Sequence, residues 1–389
     1  MNKTEHIPLN TIKISQKAIN KVKEFAKRDS REKFGLKVAV QGGGCSGLQY
    51  MLEIVDGPDK DDKIIIEDGL QIYVPKKAYV FLAGTLLDYS DGLNGKGFEF
   101  MNPIEEILKE IPTPSFSVDK STIMYRIEGK QSIDFLDRIS TNKISDKTKN
   151  ISSKTIITDN KGSIVDILSY SIINESQINF VIKKNNVKKT LNHIRDFIIL
   201  EDIDIILDQP IIRLSTFNID DFKIPKLQKQ SLLSFKYEND LINSREFFIY
   251  ENNFEKLSIN VLKDNKIQNI SNQEANLIDL YSKKIKFDNR VSKVNPLECG
   301  LYEYISFDKG CYIGQEVIAR LHNYEKISRK LTYFISENPV KKNENIKINN
   351  ISVGKILDFE YYKEIFFGIS LIKTRASDNF VNNGLIYLS

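Results

Sequence analysis

A glycine-rich turn between two alternating segments places the tightest constraint on how this chain folds. Residues 36–41 alternate between large apolar and other side chains, and residues 48–54 repeat that alternation after the turn. The turn, residues 42–47, matches the G-x-G-x-x-G pattern of dinucleotide-binding folds. In those folds the pattern opens a helix, for which the second alternating segment leaves no room. The sequence therefore predicts two strands joined by a tight turn that presents Cys45.

Two interpretations of Cys45 follow from the residues alone. Glycines permit backbone conformations in which several N–H groups point at one atom, and such groups stabilise a thiolate. The alternative is an ordinary hairpin turn that contains a cysteine by chance. The pattern leaves both open.

Length and composition describe a multidomain globular protein. The 389 residues suggest two or three domains, and 41% hydrophobic with 28% charged residues exclude a disordered or collagenous chain. Three cysteines are too few for a disulfide scaffold, or for a zinc or iron-sulfur site with four cysteine ligands from one chain. The net charge of +4 is spread without a dense basic stripe, so we expect no direct contact with nucleic acid.

We also expect a cytoplasmic protein without membrane contact. No apolar run approaches the ~20 residues of a membrane span. The first residues, Met1 to His6, lack the apolar stretch of a signal peptide. The low cysteine content fits a reducing compartment.

Periodicity predicts the main elements along the chain. Apolar residues at helical spacing predict helices after Ser15, after Ser132, over 187–198 and after Ser271, which forms a capping box with Glu274. Short strands are predicted at 64–66, at 72–74 and on both sides of a turn at 158–162. Prolines near 112 mark a linker, and the strand-like runs after Leu331 fit a small terminal β-barrel or sandwich.

A second cysteine lies in the segment Lys309-Gly310-Cys311-Tyr312-Ile313-Gly314-Gln315-Glu316. The residues after Gly314 have the pattern of a helix start, and Glu316 suits its positive end. A cysteine just before a helix, with Lys309 beside it and Arg320 nearby, has the features that lower a thiol pKa and raise its reactivity. The alternative is a buried structural cysteine. His322 follows in the helix, but one histidine near a cysteine does not establish a catalytic dyad.

The N-terminal region closely resembles the A-type iron-sulfur carriers, which are HesB/IscA-like. The likeness covers residues 10–103 and rests on 35–50, on Asp88-Tyr89 and on 97–103, which read Gly-Phe-Glu-Phe-Met-Asn-Pro. In that family the cysteine of the GGGCSG turn acts with a C-terminal Cys-Gly-Cys pair to bind a cluster or iron. Residues 104–110 contain no cysteine here, so the resemblance implies a metal role for Cys45 with an incomplete ligand set. The domain would then be either a docking module or one that shares a cluster with another chain.

The segment around Cys311 is the signature of the YgfZ-like proteins, folate-binding relatives of the glycine-cleavage aminomethyltransferase. The chain resembles them over 115–389, faintly between 205 and 270. The supporting motifs are Gly129 with Asp134-Phe135-Leu136, Thr141-Asn142, the hairpin 159–168 and Asn295-Pro296-Leu297-Glu298. The resemblance implies a three-lobed module with a central tetrahydrofolate channel. It also implies a role in the assembly or repair of 4Fe-4S clusters, including those of a tRNA-modifying enzyme.

The same resemblance implies roles for individual residues. Cys311 takes the role of the functional thiol. Its supporting residues are Lys309, Gly310, Tyr312, Gly314, Gln315 and Glu316. Asp166 aligns with an acidic position of the aminomethyltransferase hairpin and would face the pterin; a hairpin carboxylate in solvent is the alternative. Cys299 lies outside the signature and is expected to be structural.

Together these patterns predict an α+β multidomain protein. A small β-rich HesB-like domain spans 1–110, a linker 111–115, a two-lobed YgfZ/GcvT-like folate-binding domain 116–328 and a C-terminal β-barrel 329–389. We expect an iron-sulfur cluster assembly or repair factor whose cofactors are tetrahydrofolate and a transiently held cluster. Its partners would be iron-sulfur client proteins, other assembly factors and folate, with a homodimer as one option. The alternatives are a folate-dependent aminomethyl or one-carbon transferase and a non-catalytic folate-binding scaffold.

Overall fold

The computed structural model divides into two compact units, one of Met1–Glu110 with Thr332–Ser389 and one of Ile111–Leu331. No helix in the ranges described below is both long and apolar enough to cross a membrane. The described residues are 12–42, 48–75, 78, 82, 85–90, 97–101, 107, 108, 110–147, 149–219, 227–229, 231–237, 242–257, 262, 267–281, 291, 293–324, 326–348, 350–374 and 385–388.

The N-terminal part of the first unit combines one helix with two small sheets. Helix α1 (Gln16–Arg28) begins as predicted, because the Ser15 hydroxyl accepts a hydrogen bond from the Ala18 backbone N–H at 3.1 Å. The sheets have strand orders β3-β2-β5-β4 and β1-β6-β7. Their strands are β1 (Lys13–Ile14), β2 (Gly35–Gly42), β3 (Leu48–Val55), β4 (Asp62–Glu67), β5 (Leu70–Pro75), β6 (Leu86–Ser90) and β7 (Gly97–Met101).

The ladder between β2 and β3 confirms the predicted pair of strands. They are antiparallel along their whole length, from Gly35 opposite Val55 to Gly42 opposite Leu48. This register sets the two ends of segment 43–47 side by side, as a turn between neighbouring strands requires. A dinucleotide fold is excluded, since β3 follows directly where that fold needs a helix. Cys45 itself lies outside the described residues.

The second unit contains two five-stranded sheets with helices packed beside them. One sheet has the order β10-β11-β12-β9-β13 and the other β15-β16-β14-β8-β17. The strands are β8 (Ser115–Asp119), β9 (Thr122–Glu128), β10 (Ser152–Thr158), β11 (Ile164–Asn174), β12 (Gln177–Lys183), β13 (Asp204–Leu207), β14 (Ile211–Phe217), β15 (Leu233–Tyr237), β16 (Ser244–Tyr250) and β17 (Gln268–Asn269). The helices are α2 (Ser132–Ile139), α3 (Val187–Arg195), α4 (Glu251–Leu257), α5 (Asn272–Tyr281) and α6 (Gln315–Asn323).

Helices α2, α3 and α5 follow the predicted apolar faces, with two differences, whereas α4 has no prediction from the sequence. Helix α2 begins at Ser132 itself and has no side-chain cap. Helix α3 ends at Arg195, and Ile198 packs against the same core from the loop beyond it. Helix α5 carries the predicted capping box. The Ser271 hydroxyl accepts a bond from the Glu274 N–H at 3.1 Å, and the Glu274 carboxylate accepts one from the Ser271 N–H at 2.8 Å.

The C-terminal residues form strands, as predicted. One sheet of order β19-β20-β21-β18-β22 covers a core that includes Phe334, Ile346 and Ile356. Its strands are β18 (Arg329–Ser336), β19 (Asn345–Ile348), β20 (Ile351–Tyr362), β21 (Ile365–Lys373) and β22 (Leu385–Leu388).

Candidate functional site around Cys311

Cys311 lies at the exposed tip of a short loop that leads into helix α6. Its thiol is free and exposed, and a Cβ added to the neighbouring Gly310 would meet no atom within 4 Å. Gly314 precedes α6 and Glu316 lies in the first turn, as predicted. The tip is therefore open to a large partner, while the residues on either side of it are held in place.

Lys309 holds the first side of the loop. Its side chain is buried, and its ammonium donates to the backbone carbonyls of Asp137 at 2.5 Å, Ser140 at 2.9 Å and Asn142 at 2.9 Å. These carbonyls lie at and beyond the end of α2, where a helix leaves carbonyls without partners and has a negative dipole end. Burial lowers the pKa of Lys309. The sequence places this charge beside the thiol, but the structure engages it at α2.

Two glycines hold the second side of the loop. Gly314 has φ of +78° and Gly162, in the turn between β10 and β11, has φ of +68°. A Cβ on Gly314 would lie 2.4 Å from the Asp159 carbonyl oxygen and 2.8 Å from the Gly162 Cα. Beside them the Thr158 hydroxyl donates to the Ile313 carbonyl at 2.5 Å. The loop is thus packed directly on the hairpin turn, at a separation that only glycine allows.

Two further residues of the signature stabilise the loop from within. Tyr312 is buried in a cluster with Leu297, Ile305 and Ile318, and burial raises its pKa to about 12. The Gln315 amide donates to the carbonyl of Lys309 at 3.4 Å. The loop therefore folds back on itself as well as onto α2 and the hairpin.

The Thr141-Asn142 pair supports the same loop from the strand side. The Thr141 hydroxyl donates to the Tyr304 carbonyl at 2.6 Å. The Ser306 hydroxyl donates to the Asn142 side-chain oxygen at 2.9 Å and accepts from the Lys143 N–H at 2.9 Å. The sequence singles out this pair only through resemblance. The structure shows that it holds the chain just before Lys309.

The Asn295-to-Glu298 motif also meets the hairpin. The Asn295 amide donates to the Gly162 carbonyl at 3.0 Å, and Glu298 forms two bonds of 2.8 Å with Arg329. Cys299 follows directly and is buried. Burial, with a further contribution from Glu298, raises its pKa to about 12. This environment matches the structural role expected for Cys299.

Asp166 is buried rather than exposed. One carboxylate oxygen accepts from the Thr190 hydroxyl at 2.6 Å, and the other accepts from the Ile167 N–H at 2.9 Å and the Asn186 amide at 3.5 Å. Burial raises the pKa of Asp166. The solvent-exposed alternative is therefore wrong, and the contact with a pterin stays a prediction.

His322 stacks on an exposed phenylalanine. Its ring lies 4.0 Å from that of Phe307, with 24° between the planes. Its Nδ1 lies 3.4 Å from the Asn323 side-chain oxygen. These contacts are aromatic and local, so they give no support to a cysteine-histidine dyad.

A buried ionic network between strands of the second unit is not predicted from the sequence. Tyr237 contacts the Lys154 ammonium closely and donates to Glu246 at 3.0 Å. Arg213 lies 3.6 Å from Glu246 and 2.8 Å from Asp119. Burial alone would raise the pKa of Asp119, but Arg213 and Lys183 lower it to about 2.

The network has one signal in the sequence. Arg213 stands between Ile212 and Leu214, and Glu246 stands before Phe247 and Phe248; a charge at such a position is costly unless it is paired. The members of the network, Lys183 of β12 included, come from six strands and share no motif, so spacing alone does not join them. The Nε of Arg213 has no hydrogen-bond partner among the described residues, and its Nη1 has only the ion-pair contact of 3.6 Å with Glu246. The network thus keeps a buried donor that makes no hydrogen bond within the described part of the chain.

The described residues contain no group of three His, Cys, Asp or Glu side chains able to hold a metal ion. Cys311 alone offers one thiolate, whereas an iron-sulfur cluster usually needs four protein ligands. Any cluster at this loop must therefore receive its other ligands from elsewhere.

Comparison with known proteins defines the class of each part. Over 81% of this chain and 87% of the other, the fold is that of the glycine cleavage system aminomethyltransferase T from Bartonella henselae, with a TM-score of 0.57 and 10% identity. Residues 10–106 match the iron-sulphur cluster biosynthesis family. The chain is thus a fusion of a HesB/IscA-like N-terminal domain with an aminomethyltransferase-like fold.

Two curated relatives support the N-terminal assignment. The iron-sulfur cluster insertion protein ErpA of Marinobacter nauticus is 37% identical over 86 residues, which are 22% of this chain and 78% of that protein. The vegetative HesB protein of Trichormus variabilis is 40% identical over 79 residues, 20% of this chain and 64% of that protein. Through these N-terminal residues the chain belongs to the iron-sulphur cluster biosynthesis family.

Proposed function

We propose that this protein is an iron-sulfur cluster assembly or repair factor whose second half binds folate and acts through Cys311. The observation that carries the proposal is the anchored, exposed Cys311 loop on an aminomethyltransferase fold, in a chain whose N-terminal residues belong to the cluster biosynthesis family. The domains would be 1–110, 116–328 and 329–389. The clients would be 4Fe-4S proteins, among them tRNA-modifying enzymes.

The fusion supports this function physically. Joining two modules in one chain raises the effective concentration of each for the other, so a weak encounter becomes intramolecular. Cys45 would hold a cluster together with ligands from a second chain, a small thiol or a client. The Cys311 thiolate would supply one iron ligand while the cluster is transferred to a client protein. With so few thiols in one chain, holding would be transient.

Folate binding is supported by chemistry in the second unit. The pteridine and glutamate parts of tetrahydrofolate carry several hydrogen-bond acceptors, and the Nε of the buried Arg213 makes no hydrogen bond to any described residue. Lys154 and Arg213 would hold these polar groups. Such a ligand would complete the network, and it would supply a bound one-carbon carrier near the core of the unit.

Cluster reconstitution tests the roles of the thiols. The purified chain is incubated with iron and sulfide, and absorbance is recorded for wild type, Cys45→Ser, Cys311→Ser and the control Cys299→Ala. We expect loss of the cluster signal in Cys45→Ser and little change in Cys299→Ala. We expect Cys311→Ser to retain the signal but to deliver the cluster slowly to an apo acceptor. An unchanged signal in Cys45→Ser would overturn the role of that thiol.

A folate-dependent aminomethyl or one-carbon transferase is the second candidate, because the fold is that of an aminomethyltransferase. It predicts turnover with tetrahydrofolate and a lipoyl-bound aminomethyl donor, and no dependence on Cys311. Complementation separates the candidates: a strain lacking the YgfZ-like factor receives the chain with and without Cys311→Ala. Rescue by the alanine variant would remove the thiol from the mechanism, and rescue without turnover would favour the assembly factor.

A further inference from the structure

The loop between α3 and β13 presents two aliphatic side chains to solvent. Ile199 is 79% exposed and Leu200 is 92% exposed, the highest values among the exposed large apolar side chains of the described residues. Single exposed leucines are common. Two adjacent aliphatic side chains that stay in water in the folded chain keep an unfavourable hydration free energy, which burial against a partner would remove. Leu207, in the strand that follows, is exposed as well.

The loop is held rigidly in this conformation. One oxygen of the Glu201 carboxylate accepts from the backbone N–H groups of Ile199 at 2.7 Å and Leu200 at 3.1 Å, and the other accepts from Arg138 at 2.6 Å. The next N–H, that of Asp202, donates to the Gln131 side chain at 2.8 Å. Gly129 allows this close approach, since a Cβ there would lie 2.0 Å from the Asp202 carbonyl oxygen. The exposure of the two side chains is thus a property of an ordered loop.

The loop that carries the pair is rich in acidic residues. Its exposed aspartates, Asp196, Asp202 and Asp204, form an acidic rim, and every charged residue from 196 to 208 is acidic. Two exposed bases, Arg195 and Lys130, flank this loop. The whole chain has a net charge of +4, so the negative charge of this loop is opposite in sign to that of the chain. Arg138 neutralises Glu201, and the three aspartates outnumber Arg195 and Lys130, so the local potential is negative.

We propose that this loop is a docking site for a basic, aliphatic segment of a partner protein, such as a helix with leucines on one face and lysines or arginines beside them. Two aliphatic side chains bury roughly 300 Å², far below the ~800 Å² per partner of a stable dimer, so the contact is transient. A second copy of the loop would bring two acidic rims together, and an anionic membrane would be repelled. The site is independent of Cys311 and of the function proposed above.

A peptide titration tests the site on the full chain. The probe is a fluorescent amphipathic helix of leucine and lysine, and its controls replace lysine by glutamate or leucine by serine. We expect the leucine-lysine peptide to bind more tightly than either control. Leu200→Asp should weaken it at least tenfold, whereas the matched variant Ile351→Asp, at a position 67% exposed in β20, should not. Asp202→Asn with Asp204→Asn should weaken binding and flatten its salt dependence.

Three results would overturn the proposal. The first is equal binding of wild type and Leu200→Asp when melting curves show both to be folded. The second is equal affinity for the lysine and glutamate peptides, which would remove the acidic rim from recognition. The third is Leu200-dependent binding to anionic vesicles, or Leu200-dependent self-association in sedimentation, that is tighter than binding to the peptide.

Discussion

Cys299 and Cys311 stand on either side of one loop in the second unit, yet their environments are opposite. Cys299 ends a 3-10 helix, is buried beside Glu298, and has a pKa raised to about 12. Cys311 sits at an open tip between two anchored residues, Lys309 and Gly314. The difference shows that the surrounding structure, rather than proximity in sequence, decides which thiol is available for chemistry. Four experiments test this contrast.

Alkylation should separate the two thiols most clearly. A thiol with a pKa of about 12 is ionised to roughly one part in ten thousand at pH 8, about a thousandfold less than an ordinary thiol, and burial adds steric protection. In a Cys45→Ser background we therefore expect iodoacetamide to label Cys311 and not Cys299, as read by peptide mass spectrometry. Full labelling of both should appear only in denaturant. Comparable labelling in the folded chain would remove the contrast.

The second prediction concerns the glycines on the two sides of the thiol. Gly314→Ala adds a Cβ that would lie 2.4 Å from the Asp159 carbonyl oxygen, in a left-handed conformation. We expect it to lower the free energy of unfolding by about 3 kcal/mol in urea titrations. Gly310→Ala is the matched control, since its Cβ meets nothing within 4 Å, and it should cost less than about 1 kcal/mol. Equal effects would mean that the loop is not packed on the hairpin.

The third prediction concerns the ammonium of Lys309. Lys309→Met leaves three carbonyls at the end of α2 without their shared donor, which we expect to cost about 2 kcal/mol. The control Lys326→Met removes an exposed lysine and should change stability by less than about 0.5 kcal/mol. Urea unfolding monitored by circular dichroism checks both. If Lys309→Met left the free energy of unfolding unchanged, the hydrogen bonds of Lys309 would contribute nothing to stability.

The smallest expected effect is on the pH dependence of the free energy of unfolding, compared between wild type and Cys299→Ala. The unfolded Cys299 thiol ionises near pH 9, whereas the folded one keeps its proton up to about pH 12. The unfolded state therefore loses a proton first, and this contribution to stability, complete below pH 9, is lost as the pH rises toward 12. Between pH 8 and 10 wild type should lose about 1 kcal/mol more than Cys299→Ala. Parallel pH profiles for the two proteins would contradict the raised pKa.

Local pattern predicts the elements whose formation depends on near neighbours. The Ser15 cap, the β2-β3 pair and the Ser271-Glu274 capping box involve short spacings or strict alternation, and the structure confirms them. The fold class of the second half rests on resemblance and is confirmed by the fold comparison.

The details of the site could not be predicted in this way. Lys309 reaches carbonyls up to 172 positions away, and Gly314 meets Gly162 across a similar gap. The residues near Lys309 in the sequence do not indicate that its ammonium binds carbonyls at the end of α2 rather than lying beside the Cys311 thiol. The sequence around Asp166 leaves a hairpin residue in solvent as an option, because its buried partners, Thr190 and Asn186, come from a later helix and turn.

The hydrogen bonds of Lys309 to the end of α2 also make the conformation of the Cys311 loop dependent on complete folding. The Lys309 ammonium needs the end of α2, and that helix is made long before the loop as the chain leaves the ribosome. A full-length chain whose sheets are not yet assembled has both segments but not the hydrogen bonds between them. Cys311 then lacks its fixed setting, so the loop around this thiol reaches its final geometry only in a chain that has finished folding.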